Sequence, residues 1–465
     1  MHWTRTRLRV RTCVGAALTL FVAAPRICAQ APAPPSPLTL QQAVTYAVAN
    51  YPAIRASAAR VAAQEAGVDL AETSFLPRLD STLQINRATR NNVAGLLLPG
   101  APIPSISGPV SDSSPTSIWG SAGGLLLSWE LFDFGARGAS VDVARHQTQR
   151  ASAAAELTRV DVAVRTADAY LRLAVAQETV RAARASVSRM DVFANAVSVL
   201  VKNELRAGAD DSRAQAELAV ARIQLIQAEQ AEEIARAGFA QWIGVDPDEV
   251  RMATGTLLDV APTAPSSALD AARHPAAVGQ RAAVDASQAA QHAIGRAYFP
   301  RFSFQTAFSA RGTGATANGA LLSGSSGLGW RTSNWATGVT ATFPLFDRFS
   351  LQARKAIEQQ NEQAESASYA RVVREIGTQA RQARAEMNGA RRIAAQTPVQ
   401  LASARVLEQQ SRARYDAGLG TIVEVADAAR LLLQAEVGDA VAKLGVWRAL
   451  VADAAARGDI TELLK

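Results

Sequence analysis

The longest pattern along the chain is helical. Residues 135–206 contain no proline and one internal glycine, Gly138, and they are mostly Ala, Arg, Val, Leu, Glu and Gln, which largely favour helices. Roughly 70 residues at about 1.5 Å each give a helix on the order of 100 Å long. A turn at Gly208 and a second proline-free stretch to Trp242 complete a helical hairpin predicted over 135–242. A hairpin of this length does not fit a compact globule, so the pattern predicts a coiled coil or one stave of a helical tube.

Two stretches with a period of two precede this hairpin. Over 78–90, apolar Leu79, Leu83 and Ile85 alternate with polar residues, and a second strand is predicted over 118–131 after a loop rich in Gly, Pro and Ser. Trp129 lies near the end of the second strand. Strands of about ten residues with one apolar face and terminal aromatic residues are typical of outer-membrane barrels. An ordinary half-exposed β-hairpin has the same pattern, so both interpretations remain open at this point.

The whole pattern then recurs, which indicates an internal tandem duplication. Phe75-Leu76-Pro77-Arg78 returns as Tyr298-Phe299-Pro300-Arg301, 223 positions later. Strands are predicted over 301–311 and 334–346, and a second long helical hairpin over 348–455 with a kink at Pro398. The predicted organisation is therefore a first repeat over 39–244, a linker over 245–267, a second repeat over 268–456 and a C-terminal tail over 457–465.

The N-terminal residues have the composition of a signal peptide, predicted over 1–29, followed by a proline-rich leader over 30–38. The net charge of +7 includes five arginines that precede the predicted cleavage site, so the mature chain has a charge of about +2. This balance predicts no binding of nucleic acid. Both cysteines, Cys13 and Cys28, would be removed with the signal peptide; lipidation of Cys28 is the less favoured alternative.

Four apolar-faced strands are too few to close a barrel, since about eight is the smallest number seen. In lipid, strands must form a closed barrel so that every backbone group is paired. A barrel shared by three copies would have twelve strands, and the four helical arms of each chain would form one third of a twelve-helix tube.

The chain resembles the TolC-like outer membrane efflux proteins over nearly its whole mature length. The resemblance rests on the duplication, on the corners Leu131-Phe132-Asp133 and Leu345-Phe346-Asp347, and on the segment from Tyr415 to Asp427. It implies a mixed, mainly α fold, in which a homotrimer forms a 12-stranded β-barrel in the bacterial outer membrane and a helical α-barrel in the periplasm. It also implies a periplasmic adaptor protein and an inner-membrane RND or ABC transporter as partners. The transported substrate would be chosen largely by that transporter.

The turns of the two hairpins contain the candidate gate. Glu424 and Asp427 are three residues apart and share a helix face, so three copies would place six carboxylates around a narrow pore and attract cations. The alternative is an ordinary solvated face. Gly418 is matched to Gly208 as a turn residue.

The resemblance adds two expectations for the gate. Tyr415 corresponds to a tyrosine that helps to hold the family's pore closed, and Gly420 occupies the position of an arginine with a similar role. The arginine latch is therefore expected to be missing, and Arg213 could contact an acidic residue of a neighbouring tip instead.

Enzymatic readings find little support in the sequence. The three histidines of the mature chain, His146, His274 and His292, are not at metal-ligand spacing. The chain has no phosphate-binding glycine loop, and we predict no catalytic residue, cofactor or metal. The second functional hypothesis is a periplasmic coiled-coil protein without a pore, acting as a structural or adaptor component of the envelope.

Overall fold

A computed structural model describes residues 35–88, 117–253, 257–258, 270–314, 316, 320, 322 and 324–460, all within one compact unit, Pro34–Lys465. The predicted signal peptide, most of the leader, nearly all of the loop between the first two strands, much of the linker and the end of the tail lie outside the described residues. Among the residues that are described, every helix is either too short or too polar to cross a membrane.

Seven α-helices and four β-strands organise the described residues. The helices are α1 (Leu40–Asn50), α2 (Pro52–Glu72), α3 (Ala136–Lys202), α4 (Gly208–Ile243), α5 (Pro275–Arg296), α6 (Arg348–Asp416) and α7 (Ile422–Arg457). The strands are β1 (Arg78–Ala88), β2 (Ile118–Phe132), β3 (Arg301–Thr313) and β4 (Thr332–Thr342). The long helices α3 and α6 have 67 and 69 residues, and Pro398 lies inside α6, which is assigned without a break.

Local sequence explains where several of these helices begin. The Thr39 hydroxyl accepts a hydrogen bond from the Gln42 backbone N–H, and the Gln42 side chain accepts one from the Thr39 backbone N–H, which together form a capping box before α1. Proline occupies the first position of both α2 and α5, where its missing N–H has no cost. Thr421 caps α7 through the backbone N–H of Glu424.

The strands form one antiparallel sheet in the order β1-β2-β3-β4. Leu125 lies opposite both Ser81 and Phe308, and Phe308 lies opposite Trp335, so one face of the sheet carries an apolar row across all four strands. Its large side chains are between 41% and 71% exposed: Leu79, Leu83, Ile85, Leu125, Trp129, Phe308, Trp335 and Val339. This face is not covered by the helices of the same chain.

The prediction for the fourth strand was wrong at its C-terminal end. The strand was predicted over 334–346, but β4 ends at Thr342. Pro344 follows two residues later and has no backbone N–H for a neighbouring strand. The alternating apolar residues Phe343 and Leu345 therefore lie beyond the sheet, in a short connection to α6.

The main hydrophobic core lies where α1 packs against α3 and α4, beside the residues around Met252. Leu38 forms a parallel bridge with Met252, and its backbone N–H donates to the Arg251 carbonyl at 2.8 Å. Tyr170 is fully buried and packs edge-to-face on Phe239 at 5.5 Å. Its hydroxyl lies 3.0 Å from the carbonyl oxygens of both Leu38 and Ala253. One phenol thus joins the beginning of the described chain and the segment after α4 to the middle of α3.

Tyr170→Phe should reduce stability, because it leaves the buried Ala253 carbonyl without this donor. We expect a loss of about 1–3 kcal/mol, measured as a lower midpoint of thermal unfolding in detergent and as faster proteolysis near residues 251–253. Tyr298→Phe is the matched control, since Tyr298 is 37% exposed. Equal midpoints for the two variants would show that the Tyr170 hydroxyl does not hold these segments together.

Candidate gate at the helical turns

Two turns of equal length connect the long helices. One runs from the end of α3 at Lys202 to the start of α4 at Gly208, and the other from the end of α6 at Asp416 to the start of α7 at Ile422. Both boundaries are 214 positions apart in the chain. The residue with a left-handed backbone is Glu204 (φ 62°) in the first turn and Gly418 (φ 77°) in the second.

The matching of Gly208 to Gly418 was therefore wrong by four residues. Gly208 is the first residue of α4, and Glu204 adopts the conformation that reverses the chain. The left-handed region costs a non-glycine residue roughly 1–2 kcal/mol, so a search for glycine could not find this turn. Gly418 is placed as expected, immediately after the end of α6.

Tyr415 connects the two turns within one chain. It lies in the last turn of α6, is 1% exposed, and packs edge-to-face against Phe193 of α3 at 5.2 Å. Its hydroxyl donates to a carboxylate oxygen of Asp210 at 3.4 Å. Burial, reinforced by the negative charge of Asp210, raises the pKa of the Tyr415 phenol. The tyrosine therefore stays neutral and retains the proton that it donates.

Arg206 is the gate residue that sequence reasoning missed. Its guanidinium lies over the Tyr415 ring, 4.5 Å from the centroid, and its Nη2 donates to the Tyr415 carbonyl oxygen at 2.6 Å. That carbonyl is at the C-terminal end of α6, where the helix dipole favours a cation. Arg206 is 214 positions before Gly420, so the arginine expected at Gly420 is present at the equivalent position of the other turn. Aligning the turns by their helix ends would have found it.

Glu424 and Asp427 lie near the start of α7 with side chains 46% and 61% exposed. The intervening Val425 and Ala426 are buried, which turns the two acids away from the core. Glu424 is 4.0 Å from Arg414, and Asp427 forms an ion pair with Arg430. Each carboxylate thus faces an arginine of its own chain, a feature that the i, i+3 spacing of the acids did not reveal.

The double variant Glu424→Ala plus Asp427→Ala should lower the cation-to-anion permeability ratio of the pore, because it leaves Arg414 and Arg430 without their carboxylates. Removing one charge about 4 Å from a permeating ion in water changes its energy by about 1 kcal/mol, roughly a factor of five. Reversal potentials in a KCl gradient across planar bilayers measure this ratio. Glu156→Ala, at an exposed acid on α3, is the control; an unchanged ratio in the double variant would reject the proposed acid ring.

Arg213 lies in the second turn of α4 and is 4.0 Å from Glu217 of the same helix. Its side chain is 47% exposed. The expectation that it contacts an acid of a neighbouring tip stays a prediction.

The first strand-to-helix corner is built around a buried carboxylate. Asp133 follows β2 and accepts hydrogen bonds from the backbone N–H groups of Gly135, at 3.1 Å, and Arg137, at 2.6 Å. The Arg137 Nε donates to it at 3.0 Å. Burial acts to raise the pKa of Asp133, but the hydrogen bonds from Arg137 and Gly135 outweigh burial and hold that pKa below its usual range. Phe134 and Gly135 both have positive φ angles, which form the sharp turn into α3.

The second corner has the same Leu-Phe-Asp sequence but a different arrangement. Leu345 and Phe346 are 77% and 89% exposed, and the Asp347 side chain does not cap α6. Leu351 occupies the position that corresponds to Arg137, so the guanidinium that organises the first corner has no counterpart. The shared tripeptide therefore marks both corners without determining their contacts.

Comparisons with known proteins match the fold and the turns to one group of membrane channels. The family model described as outer membrane efflux protein matches residues 44–245 and 266–452. Protein CyaE of Bordetella pertussis is 30% identical over 232 residues, which cover 49% of this chain and 43% of that protein. The match therefore spans less than half the length of this relative.

Solved structures share the fold over most of the chain. The outer membrane channel CmeC of Campylobacter jejuni superposes with a TM-score of 0.73 at 16% identity, covering 90% of this chain and 85% of that one. The outer membrane protein VceC of Vibrio cholerae superposes with a TM-score of 0.72 at 16% identity, covering 90% and 96%. The predicted fold class, long helices joined to a small antiparallel sheet in the TolC-like arrangement, is confirmed.

Proposed function

The chain belongs to the outer membrane efflux protein family, and from this premise we propose that three copies form one export conduit that works with a periplasmic adaptor and an inner-membrane RND or ABC transporter. Members of the family are outer membrane channels rather than enzymes, and their helical part lies in the periplasm. The homotrimer, the named partners and the gate at the turns belong to the proposal.

The sheet is the observation that carries this proposal. Within the described chain, β1 pairs only with β2 and β4 pairs only with β3. Each outer strand therefore leaves one row of backbone groups unpaired, next to an exposed apolar face. Unpaired backbone is costly in lipid, and the rows are satisfied if β4 of one copy pairs with β1 of the next.

A periplasmic coiled coil without a pore is the disfavoured alternative. Such a protein needs neither an exposed apolar sheet face nor four strands at one end of its helices. The exposed side chains Leu83 and Trp335, at 69% and 71%, would also be an aggregation hazard in water.

Extraction and conductance measurements test the conduit together. We expect the protein to remain in membranes washed with carbonate, to be released by detergent as a trimer in native mass spectrometry, and to conduct ions in planar bilayers. Release by carbonate as a monomer without conductance would overturn the proposal. Deleting the chain and measuring both the accumulation of a small dye and the secreted proteins then separates small-molecule efflux from protein secretion.

A further inference from the structure

The two outermost long helices each carry a second stripe of residues that the chain leaves uncovered. In the half of the molecule nearer the turns, α4 packs along α3, α3 along α7, and α7 along α6. The buried side of α4 includes Leu218, Ala221 and Ala228. A second stripe recurs at steps of three and four on its opposite side and is exposed: Val220, Ile223, Gln227, Gln230 and Ile234.

The matching stripe on α6 lies opposite the side that faces α7. The buried side includes Ile376, Ala383 and Ala404. Residues on the far side recur at steps of three, four and seven and are exposed: Arg381, Ala385, Asn388, Arg392, Val399 and Val406. A helix with apolar and small residues on two opposite sides suits a position between two neighbouring helices, and each outer helix has only one such neighbour in its own chain.

The two stripes also match in height above the turns. Helix α4 begins at a turn, at Gly208, and α6 ends at one, at Asp416, so the two run antiparallel. Ile223 of α4 and Val399 of α6 both lie roughly four to five helical turns from these ends. Glu233 of α4 and Arg392 of α6 both lie roughly seven helical turns from them. With about 1.5 Å of rise per residue, the members of each pair are level to within about 3 Å.

Opposite charges meet at the upper of these two levels. Three acids lie close together on α4, Glu229, Glu232 and Glu233, and the level stretch of α6 contains Arg391 and Arg392. Glu229 and Glu232 form ion pairs with Arg184 and Arg236. Over the described part of the chain, neither Glu233 nor Arg392 has an ion-pair partner, and both are exposed.

We propose that α4 of one copy packs antiparallel along α6 of the next copy, with Ile223 against Val399 and Glu233 facing Arg392. This assignment rests on the proposed trimer, and it names the helical surface that closes it. The interface is head-to-tail, since α4 and α6 are different surfaces of the same chain, and three such contacts close a ring. A helix of an adaptor protein is the other possible occupant, and the experiment distinguishes it from a second copy.

Paired cysteines test which surfaces meet. Both natural cysteines, Cys13 and Cys28, lie in the predicted signal peptide, so introduced pairs can be oxidised selectively in isolated membranes. Ile223→Cys with Val399→Cys should give disulfide-linked dimers and trimers of the chain on non-reducing gels. The control pair, Ile223→Cys with Asn388→Cys, is about 20 Å apart along the helices and should give at least tenfold less. Cross-linking only to a different protein would overturn the second-copy assignment.

Charge reversal tests the ionic pair independently. Glu233→Arg and Arg392→Glu should each reduce the fraction of trimer surviving mild dissociation by about tenfold, because three like-charge contacts replace three opposite-charge contacts of modest strength. Combining the two reversals should restore it. If the unaltered protein is trimeric but neither the cysteines nor the reversals have these effects, the seam is wrong and the conduit stands. A monomeric unaltered protein would overturn both.

Discussion

Arg206→Ala is expected to raise the open probability of the pore by at least about tenfold. Arg206 is the residue of the first turn that grips the second, through the ring and the carbonyl oxygen of Tyr415. A partly desolvated cation–π contact contributes about 0.5–2 kcal/mol, and a hydrogen bond from a charged donor about 1.5–3 kcal/mol. Since about 1.4 kcal/mol corresponds to a factor of ten, losing these contacts in three copies gives a large shift if they hold the pore closed.

Single-channel recordings in planar bilayers measure the open probability directly, and the uptake of a large antibiotic measures it in cells. Arg222→Ala is the matched control, because it removes an exposed arginine of the same hairpin that pairs with Asp191. Arg206→Lys should have an intermediate effect, since a lysine keeps the charge but not the planar group that stacks on the ring. If Arg206→Ala and Arg222→Ala conduct alike, the contact between the turns does not control the gate.

The features that sequence could predict are those set by local patterns. The helical period and the absence of proline located α3 and α4, and alternation located the strands, because each depends on residues close in the chain. The end of β4 departed from prediction because Pro344 stops pairing although the apolar alternation continues through Leu345. Alternation reports which face is apolar and does not report whether a backbone hydrogen bond can form.

The candidate gate was less predictable, because its contacts join residues more than 200 positions apart. Tyr415 could be singled out by resemblance, but its partners Arg206 and Asp210 lie in another turn. The register of that turn depends on Glu204 adopting a conformation usually left to glycine. The same limit applies to the corners, where identical tripeptides have different contacts because one has Arg137 four residues on and the other has Leu351.

Arg137→Ala should destabilise the protein by about 3 kcal/mol, the low end of the cost of removing one partner from a buried ion pair. The Arg137 and Asp133 side chains are 13% and 6% exposed. Arg137 also donates to the carbonyl oxygens of Glu130, at 2.7 Å, and Ser74, at 3.2 Å. The arginine therefore ties the end of β2 and the end of α2 to the start of α3. We choose the low end because the backbone N–H of Gly135 still donates to Asp133 in the variant.

Thermal unfolding in detergent and the amount of folded protein in the outer membrane measure this loss. Arg145→Ala is the control: it lies on the same helix, pairs with Glu72 and Asp142, and is 57% exposed, so we expect less than about 1 kcal/mol. Adding Asp133→Asn to Arg137→Ala should recover part of the loss, because it removes the carboxylate left buried without its cation. If the two arginine variants unfold alike, the first corner is held by its apolar contacts instead.

Acid should affect the two proteins in opposite directions. In the unaltered chain the lowered pKa of Asp133 means that its carboxylate stabilises the fold above the pKa of an unfolded aspartate, about 3.9, and this stabilisation is lost as the pH falls through the lower folded value. In Arg137→Ala, burial remains while the cation is gone, so the pKa of Asp133 should rise and mild acid should narrow the difference between variant and unaltered protein. A difference that stays constant from pH 7 to pH 4 would show that the loss comes from the contacts with Glu130 and Ser74 rather than from the buried charge.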